Sequence, residues 1–475
     1  MLVYLTSPAL VFLATWIRPA IGLPAALIVA IGLFQLVRSP AMATPQPPLP
    51  RKIFWLVLLL ALGWTLLAGV GGFLPQSGDY VKHNLLFHDL VHQSWPVNYA
   101  PPAGEKTYLC YGLGYYLMPT LGGKLLGVNL VPLLTLAWTF GGVALFFYWV
   151  ATLGQAPGKT LAMILFFSGT SILWWLFKRH GIPGLLSTDG LDQQLSKLGL
   201  RTGYNDSFTR IEYQPQHALV GWLGTAVFYD LLWVKKNPRG VFFVWAACLL
   251  WSPLSCLGLL LVPLAALRRV RCRDYFEPIN LLAGGILLLI LGIYFQGHVP
   301  LADSGVLWKL ADSANWIGLY VLFLILELSP VLMVLFVDLK YRLLGDLRPL
   351  FYAAVGFLIL LPLYKFGFYS DLRLQSSEPA LVFAALGAAL CWQSPAFSFR
   401  RPLFLLLVAT ILVGAMIPLF RPWQNLVTND YDYSYAAIVQ NCGYHDITEL
   451  RDIAFNAAPQ YLGRTNSLAA RWLLR

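Results

Sequence analysis

The sequence predicts an all-α, polytopic integral membrane protein, and its composition is the first observation behind that prediction. Of the 475 residues, 58% are hydrophobic and 12% are charged, and the mean hydropathy is +0.65. Soluble domains carry about twice that share of charged side chains. The 15% aromatic content and the long Leu/Val/Ala runs also exclude a disordered chain, a collagen and a coiled coil.

Apolar runs of bilayer length are the second observation. A span needs roughly 17–25 residues, and such runs occur at 20–37, 53–73, 129–152, 159–178, 216–233, 278–295, 314–338, 349–365, 379–394 and 402–420. Residues 3–17 add a span that ends at Arg18-Pro19, and residues 240–267 add two, because Trp251-Ser252-Pro253 at their middle fits a tight hairpin. The sequence therefore predicts about 13 transmembrane helices within a transmembrane domain over residues 1–420.

The distribution of Lys and Arg is the third observation. Residues 108–126 mix Gly112, Gly114 and Lys124 into an apolar pattern, which predicts an amphipathic helix lying in the interface and not a span. With that assignment the basic loops all fall on one side, which the positive-inside rule makes cytosolic. These loops are 38–52, 153–159, 234–239, 268–277, 339–348 and 395–401.

The opposite, outer face then carries the segments large enough to hold a function. They are residues 74–128, residues 179–215, the shorter loop 365–378, and a short C-terminal tail over 421–475. The cytosolic loops leave no room for a nucleotide-binding domain, and the chain has no Walker loop or dinucleotide fingerprint. The net charge is +11, but in a membrane protein much of the Lys/Arg excess normally comes from cytosolic loops, so no nucleic-acid partner is predicted.

The first candidate site follows the 53–73 span. Asp79, Lys82 and His83 stand at i, i+3 and i+4, so they share one face of a helix that begins early enough. A carboxylate at the membrane surface suits general-base catalysis, because partial desolvation raises its pKa and a nearby cation tunes it. The alternative is that Asp79 only caps a helix with a solvated polar face.

The second candidate site lies in residues 203–217, which run into the 216–233 span. Asp206 and Glu212 precede the span, and Gln216 and His217 occupy its first turn. Burying such groups costs a few kcal/mol unless they are paired. The pattern therefore favours the wall of an aqueous pocket over an ordinary polar loop.

The third candidate site is the outer loop 365–378, which contains Lys365 and Arg373. Ammonium and guanidinium groups beside a membrane are suited to a lipid phosphate. Both residues could instead be snorkelling anchors, and for Lys365 alone that is the simpler interpretation.

For two other polar features the sequence favours a structural role over a functional one. His88 and His92 stand at i, i+4 without a third ligand nearby, so no metal site is predicted there. Glu327 lies inside the 314–338 span, where a paired structural carboxylate is favoured over a proton relay, because one buried acid does not make a pathway.

Taken in order, several motifs resemble the GT-C superfamily of integral-membrane glycosyltransferases, and in particular its uncharacterised bacterial members, up to about residue 420. The resemblance lies in the order of the motifs, since each one alone is unspecific. They are Asp79 after an early span, Tyr111-Gly112-Leu113-Gly114-Tyr115-Tyr116, Gly122-Gly123-Lys124-Leu125-Leu126-Gly127, Phe166-Phe167-Ser168-Gly169, Gln214-Pro215-Gln216-His217-Ala218-Leu219, Trp251-Ser252-Pro253, and Ser370-Asp371-Leu372-Arg373 before Ser376 and Pro379.

The resemblance implies a transferase at the outer face of a bacterial inner membrane. Its donor would be a polyprenyl-phosphate-linked sugar, and its acceptor would be a glycan, a lipid or a protein. Asp79 would be the catalytic base, and Arg373 with Lys82 or Lys365 would hold the donor phosphate.

Two departures from the superfamily narrow that expectation. Trp174-Trp175 is followed by Leu176 where oligosaccharyltransferases have WWD, which argues against transfer of a long glycan to asparagine. Asp79 has no acidic neighbour in sequence before Asp89, which leaves open whether a divalent metal takes part.

Three rival functions remain open at this point. An O-antigen polymerase or ligase type of enzyme would rely on outer-loop Arg and His. A flippase for lipid-linked sugars needs polar residues through the bilayer midplane, whereas the polar groups here cluster at the outer rim. A non-enzymatic assembly subunit would have a dry outer vestibule.

Overall fold

The structure is a computed structural model of the chain, and most residues are described in it. The described residues are 1–39, 48–100, 106–154, 156–173, 195–200, 203–299, 304–311, 315–367, 369–395, 397, 402–428, 438, 443–450 and 458–475. The predicted all-α class is confirmed, with 75% of the structure helical. Residues 179–194 of the second outer segment and the tail residues 429–437, 439–442 and 451–457 lie outside the described residues.

The helices follow the predicted order along the chain. They are α1 Leu2–Thr15, α2 Pro19–Val37, α3 Arg51–Leu67, α4 Tyr80–His92, α5 Leu117–Leu126, α6 Val131–Leu153, α7 Pro157–Phe166, α8 Ser207–Tyr213, α9 Pro215–Phe228, α10 Val241–Cys248, α11 Pro253–Leu259, α12 Leu261–Ala265, α13 Gly285–Gln296, α14 Leu307–Leu310, α15 Trp316–Tyr341, α16 Arg348–Leu360, α17 Asp371–Ser376, α18 Glu378–Gln393 and α19 Pro402–Thr428. Short strands are β1 Asn98–Tyr99, β2 Thr107–Leu109, β3 Gly305–Val306, β4 Tyr364–Lys365 and β5 Leu462–Arg464.

Six helical stretches in the described residues are long and apolar enough to cross a membrane. They are Pro19–Val37, Val128–Leu153, Pro215–Val234, Trp316–Tyr341, Gly345–Leu363 and Pro402–Val427. The outward faces of α2 and α19 carry bare apolar side chains such as Leu27, Leu412 and Leu419, which are 62%, 62% and 59% exposed. Such surfaces are stable against lipid, so the chain is an integral membrane protein.

The other predicted spans appear as shorter helices. Proline accounts for one of these breaks, because α10 ends at Cys248 and α11 begins at Pro253, with the Ser252 hydroxyl capping it by accepting from the Ser255 amide. The predicted hairpin is therefore present. In the 159–178 run, α7 ends at Phe166 and Phe167 is extended. The Phe167–Gly169 segment does not continue the helix, because its backbone packs closely against neighbouring helices.

The prediction of one amphipathic helix over residues 108–126 is wrong in its first half. Only Leu117–Leu126 is α-helical, whereas residues 107–109 form β2. The glycines explain the difference: the Gly114 amide donates to Leu250 O, and a Cβ on Gly114 would lie 2.5 Å from the Trp251 ring. The first half of the segment is therefore not helical, because its backbone forms contacts with the hairpin in place of hydrogen bonds within a helix.

Contacts between loops divide the bundle into two ends. At one, which we call the basic end, Asp346 accepts from Arg269 at 3.3 Å and its peptide oxygen accepts from Trp233 Nε1 at 3.1 Å. Asn280 donates to Pro238 O there as well. The predicted cytosolic loops 234–239, 268–277 and 339–348 therefore meet.

At the other end, which we call the site end, the C-terminal tail joins the first outer segment. Strand β2 pairs antiparallel with both β1 and β5, with Leu109 opposite Leu462. Asp89 accepts from the Ile447 amide at 3.1 Å. The described part of the tail and the outer segment 74–128 therefore lie at the same end, as the predicted topology requires.

Candidate functional site

The three candidate segments, which are up to 300 residues apart in sequence, converge at the site end. Ser77 donates to Glu212 O at 3.4 Å, which joins the first segment to α8. Arg210 in α8 donates to Ser377 Oγ at 2.9 Å, which joins the second segment to the third. The three polar segments that the sequence singled out are therefore neighbours at one end of the fold.

The central pair is Asp79 with Lys82. Asp79 occupies the N-cap position of α4, but its side chain makes no capping hydrogen bond. Its Oδ2 instead accepts from Lys82 Nζ at 2.5 Å, and the two side chains are 35% and 20% exposed. Burial alone would lower the pKa of Lys82, but the Asp79 carboxylate outweighs it and the pKa is raised. The ammonium therefore stays charged, and both groups stay open to a ligand.

Asp371 is a second acid whose pKa responds to the charges of this pair, and sequence reasoning did not assign it. Burial raises its pKa to about 6, the Lys82 ammonium lowers it, and the Asp79 carboxylate raises it again. We call Asp79, Lys82 and Asp371 the central triad.

His83 is buried beneath the triad, and both of its ring nitrogens are engaged. Its Nε2 lies 3.1 Å from Tyr213 O, a carbonyl that can only accept, so Nε2 carries the proton and Nδ1 accepts from Tyr116 Oη at 2.7 Å. Burial, with the charge of Lys82, lowers the pKa of His83 to about 3. His83 is therefore neutral and fixes α4 against α8, so a direct contact with a ligand would require it to give up one of these bonds.

Gln216 and His217, which the sequence predicted to line an aqueous pocket, form a buried polar wall at the first turn of α9. Gln216 Nε2 donates to Tyr111 Oη at 3.1 Å and lies 3.2 Å from His217 Nε2. Within the described part of the chain, the buried atoms Gln216 Oε1, His217 Nδ1 and Tyr80 Oη have no hydrogen-bond partner. Buried polar atoms in proteins are nearly always paired, so this wall is suited to a polar ligand.

Glu212 is held by a cation from the last helix. Its Oε2 lies 3.5 Å from Arg421 Nε, and Arg421 Nη2 donates to Tyr213 Oη at 2.5 Å. Burial raises the pKa of Glu212 to about 7, against the opposing charge of Arg421. The only sequence signal for Arg421 was its position directly after the last apolar run.

A second buried ion pair, Arg210 with Glu378, connects the second and third segments. The Arg210 guanidinium contacts Glu378 Oε1 through Nε and donates to Ser377 Oγ at 2.9 Å, and Trp222 Nε1 donates to Glu378 Oε2 at 2.8 Å. The two charged side chains are 1% and 2% exposed. They line a cavity that also borders Asp206.

The remaining predicted residues lie inside the protein and support loops. Asp206 caps α8, since its Oδ1 accepts from the Phe208 and Thr209 amides at 2.9 and 3.1 Å. Lys365 is buried and donates to Lys197 O at 3.2 Å. Neither residue is brought to the central triad.

Arg373 is fully buried as well. It donates to Gly199 O at 2.9 Å, and its guanidinium carbon lies 4.9 Å from the Phe323 ring centroid. Burial lowers its pKa to about 10, with Tyr204 and Glu327 as its nearest opposing groups. Glu327 in turn accepts from the Tyr204 amide at 2.7 Å, which is the paired structural role that the sequence favoured for it.

The C-terminal tail closes one side of the site, which the sequence did not predict. Tyr461 packs its ring 4.7 Å from the ring of Tyr111, the residue that holds Gln216. Tyr461 directly precedes β5, so the sheet positions it. The tail is therefore part of the wall of the site.

Comparisons with known proteins add no relative. No family model, no curated protein and no solved structure matches the chain. Among the described residues, no group of three or more His, Cys, Asp and Glu side chains is placed to hold a metal ion.

Proposed function

We propose that this protein is a membrane glycosyltransferase that moves a sugar from a polyprenyl-phosphate-linked donor to an acceptor hydroxyl or amide. The observation that supports it best is the central triad, a partly exposed carboxylate in contact with an ammonium and beside a second acid. The chain has helices long and apolar enough to cross a membrane, and we infer that the donor presents its headgroup at this end of the bundle.

The proposed chemistry uses each member of the triad. Asp79 accepts the proton of the acceptor hydroxyl as its oxygen forms a bond to the anomeric carbon of the sugar. The bond between that carbon and the donor phosphate oxygen breaks, and the electron pair stays on the phosphate. Lys82 moves from Asp79 to the departing phosphate and stabilises its charge. The triad is equally compatible with inversion or retention at the anomeric carbon.

Asp371 has a separate part in this proposal. Its pKa of about 6 keeps a share of it protonated near neutrality, so it can donate a hydrogen bond to the sugar or to the phosphate. Gln216 and His217 would contact the sugar hydroxyls through their unpaired atoms. Arg373 and Lys365, being buried, would act on the phosphate only after the loop over residues 195–200 moves.

The architecture that goes with this function is a GT-C-like bundle. We infer about 13 membrane segments, namely the long helices and the shorter helices α1, α3, α7, α10, α11 with its continuation to Arg268, Asn280–Gln296, and α18. The positive-inside rule places the basic end in the cytosol and the site end outside a bacterial inner membrane. The clustering of the loops into two ends supports this topology.

The proposal is tested by the release of polyprenyl phosphate. Purified protein in vesicles is given a panel of undecaprenyl-phosphate monosaccharides with a mixture of acceptors, and the product is measured by mass spectrometry. Asp79→Asn should lower turnover at least 100-fold, within the range by which a general base contributes. Asp274→Asn, on a basic-end residue whose side chain is 42% exposed and lies 3.5 Å from Arg273, should retain full turnover.

Two results would contradict the proposal. Equal turnover in Asp79→Asn and Asp274→Asn would remove Asp79 from the chemistry. Movement of intact donor across the bilayer, with no release of polyprenyl phosphate by the wild-type protein, would assign the chain to the flippase class.

A further inference from the structure

A cleft at the basic end is separate from the candidate site and is unexplained by the proposed reaction. It has a volume of about 670 Å³ and is bordered by Trp233, Lys236, Arg268, Arg269 and Asp346. Three cations and one carboxylate surround it, so its net charge is positive.

One wall of the cleft is rigid. The Arg269 guanidinium lies 3.9 Å from the Trp233 ring centroid and donates to Asp346 Oδ1 at 3.3 Å. Trp233 donates to the Asp346 peptide oxygen at 3.1 Å. These contacts hold three loops together and partly neutralise Asp346, whose side chain is 90% exposed.

The other two cations are available. Lys236 and Arg268 are exposed, and neither side chain has a hydrogen bond or ion pair to another described residue. Lys236 has a φ of 51°, a left-handed conformation that residues other than glycine adopt infrequently and that is often found at functional positions. Lys236 directly follows the C-cap of the helix that ends at Val234, and its positive φ turns the chain out of that helix toward the cleft.

The surface beside the cleft is apolar. Val234, which borders it, is 57% exposed, and Leu264, one helical turn before Arg268, is 63% exposed. An anion bound at Lys236 and Arg268 would therefore have bare apolar side chains directly beside it. That arrangement matches a phosphate carrying acyl chains better than a free phosphate.

We propose that this cleft binds an anionic phospholipid, with the headgroup phosphate between Lys236 and Arg268 and the acyl chains along Val234 and Leu264. Basic pockets between transmembrane helices on the cytosolic side are recognition sites for anionic headgroups. The proposal is independent of the glycosyltransferase assignment, because the cleft shares no residue with the central triad.

Native mass spectrometry of the full chain in detergent tests the proposal. Dioleoyl phosphatidylglycerol, dioleoyl phosphatidylcholine and inorganic phosphate are titrated separately, and the bound fraction is counted. The wild type should bind phosphatidylglycerol at least about tenfold more tightly than phosphatidylcholine, since each basic residue near an anionic headgroup contributes about a factor of five. Lys236→Asn with Arg268→Gln should abolish most of that preference, and asparagine tolerates the left-handed backbone.

The matched control is Arg271→Gln with Arg273→Gln, which removes two charges from the same loop outside the cleft. It should keep the wild-type preference. Equal preference in the Lys236/Arg268 variant and the wild type would overturn the proposal. So would complete competition by millimolar inorganic phosphate, which would show a site for a free anion. Unchanged thermal unfolding of the Lys236/Arg268 variant shows that it is folded.

Discussion

The buried ion pair between Arg210 and Glu378 allows a quantitative prediction that does not depend on the proposed reaction. Both side chains are essentially inaccessible, and the carboxylate also accepts from Trp222 Nε1. Replacing Arg210 with methionine keeps most of the side-chain volume but leaves Glu378 buried opposite an apolar group. The change removes the charge pairing together with the hydrogen bonds from Arg210 to Ser377 and Gln214.

The expected cost of that change is about 3–5 kcal/mol in the free energy of unfolding, the range for removing one partner of a buried pair. Adding Glu378→Gln to Arg210→Met should restore most of the lost free energy of unfolding. A neutral amide oxygen can still accept from Trp222, and no charge remains buried. The coupling energy between the two positions should then be about 2 kcal/mol or more.

Denaturant titration in mixed micelles, followed by tryptophan fluorescence, measures these differences. The control is Arg269→Met at the basic end, whose partner Asp346 is exposed, and it should cost no more than about 1 kcal/mol. A loss below about 1 kcal/mol in Arg210→Met, or a double variant no more stable than it, would refute the reasoning.

Two further predictions concern the site end. Because burial raises the pKa of Glu212 from 4.5 to about 7, the folded protein holds a proton that the unfolded chain releases, so stability falls as pH rises from about 4.5 to 7. Glu212→Gln should flatten the fall in apparent melting temperature between pH 5 and pH 8, and a slope identical to that of the wild type would contradict the assignment. Asp89→Ala removes the acceptor for the Ile447 amide and should accelerate tryptic cleavage at Arg464. Asp89→Asn keeps an acceptor oxygen, so this variant should be cleaved at close to the wild-type rate. Equal cleavage rates in all three proteins would show that Asp89 does not hold the tail.

The sequence predicted most of the helices because hydropathy is a local signal. An apolar run of about 20 residues must form its hydrogen bonds within itself when it is in lipid, so the six long stretches follow from composition alone. The hairpin at Trp251-Ser252-Pro253 was equally accessible, since serine caps helix starts and proline is favoured at the first helical position, as at α11. The helix predicted over residues 108–126 failed because Gly112 and Gly114 pack against that distant hairpin.

The sequence predicted individual residues of the candidate site, but it did not predict which distant residues act together. Asp79 and Lys82 could be placed on one face from their spacing, and Gln216 and His217 from the cost of burying them. The proximity of Asp371 to Asp79 depends on contacts across almost 300 residues, which no periodicity encodes. Without an alignment of related chains, such a pairing has no signal in one sequence.

The strand pairing between β2 and β5 constrains the order in which the parts of the protein fold. Residues 462–464 leave the ribosome only after every helix of the bundle, yet they complete a sheet whose other strands lie near residue 100. The ends of the chain meet at the same place, since Arg18 Nε donates to Leu474 O at 2.9 Å and Arg475 Nε to Ile17 O at 3.0 Å. Insertion into the bilayer can therefore be complete while the wall containing Tyr461 is still missing. Pairing of residues 462–464 with β2 is then the step that adds this wall to the site.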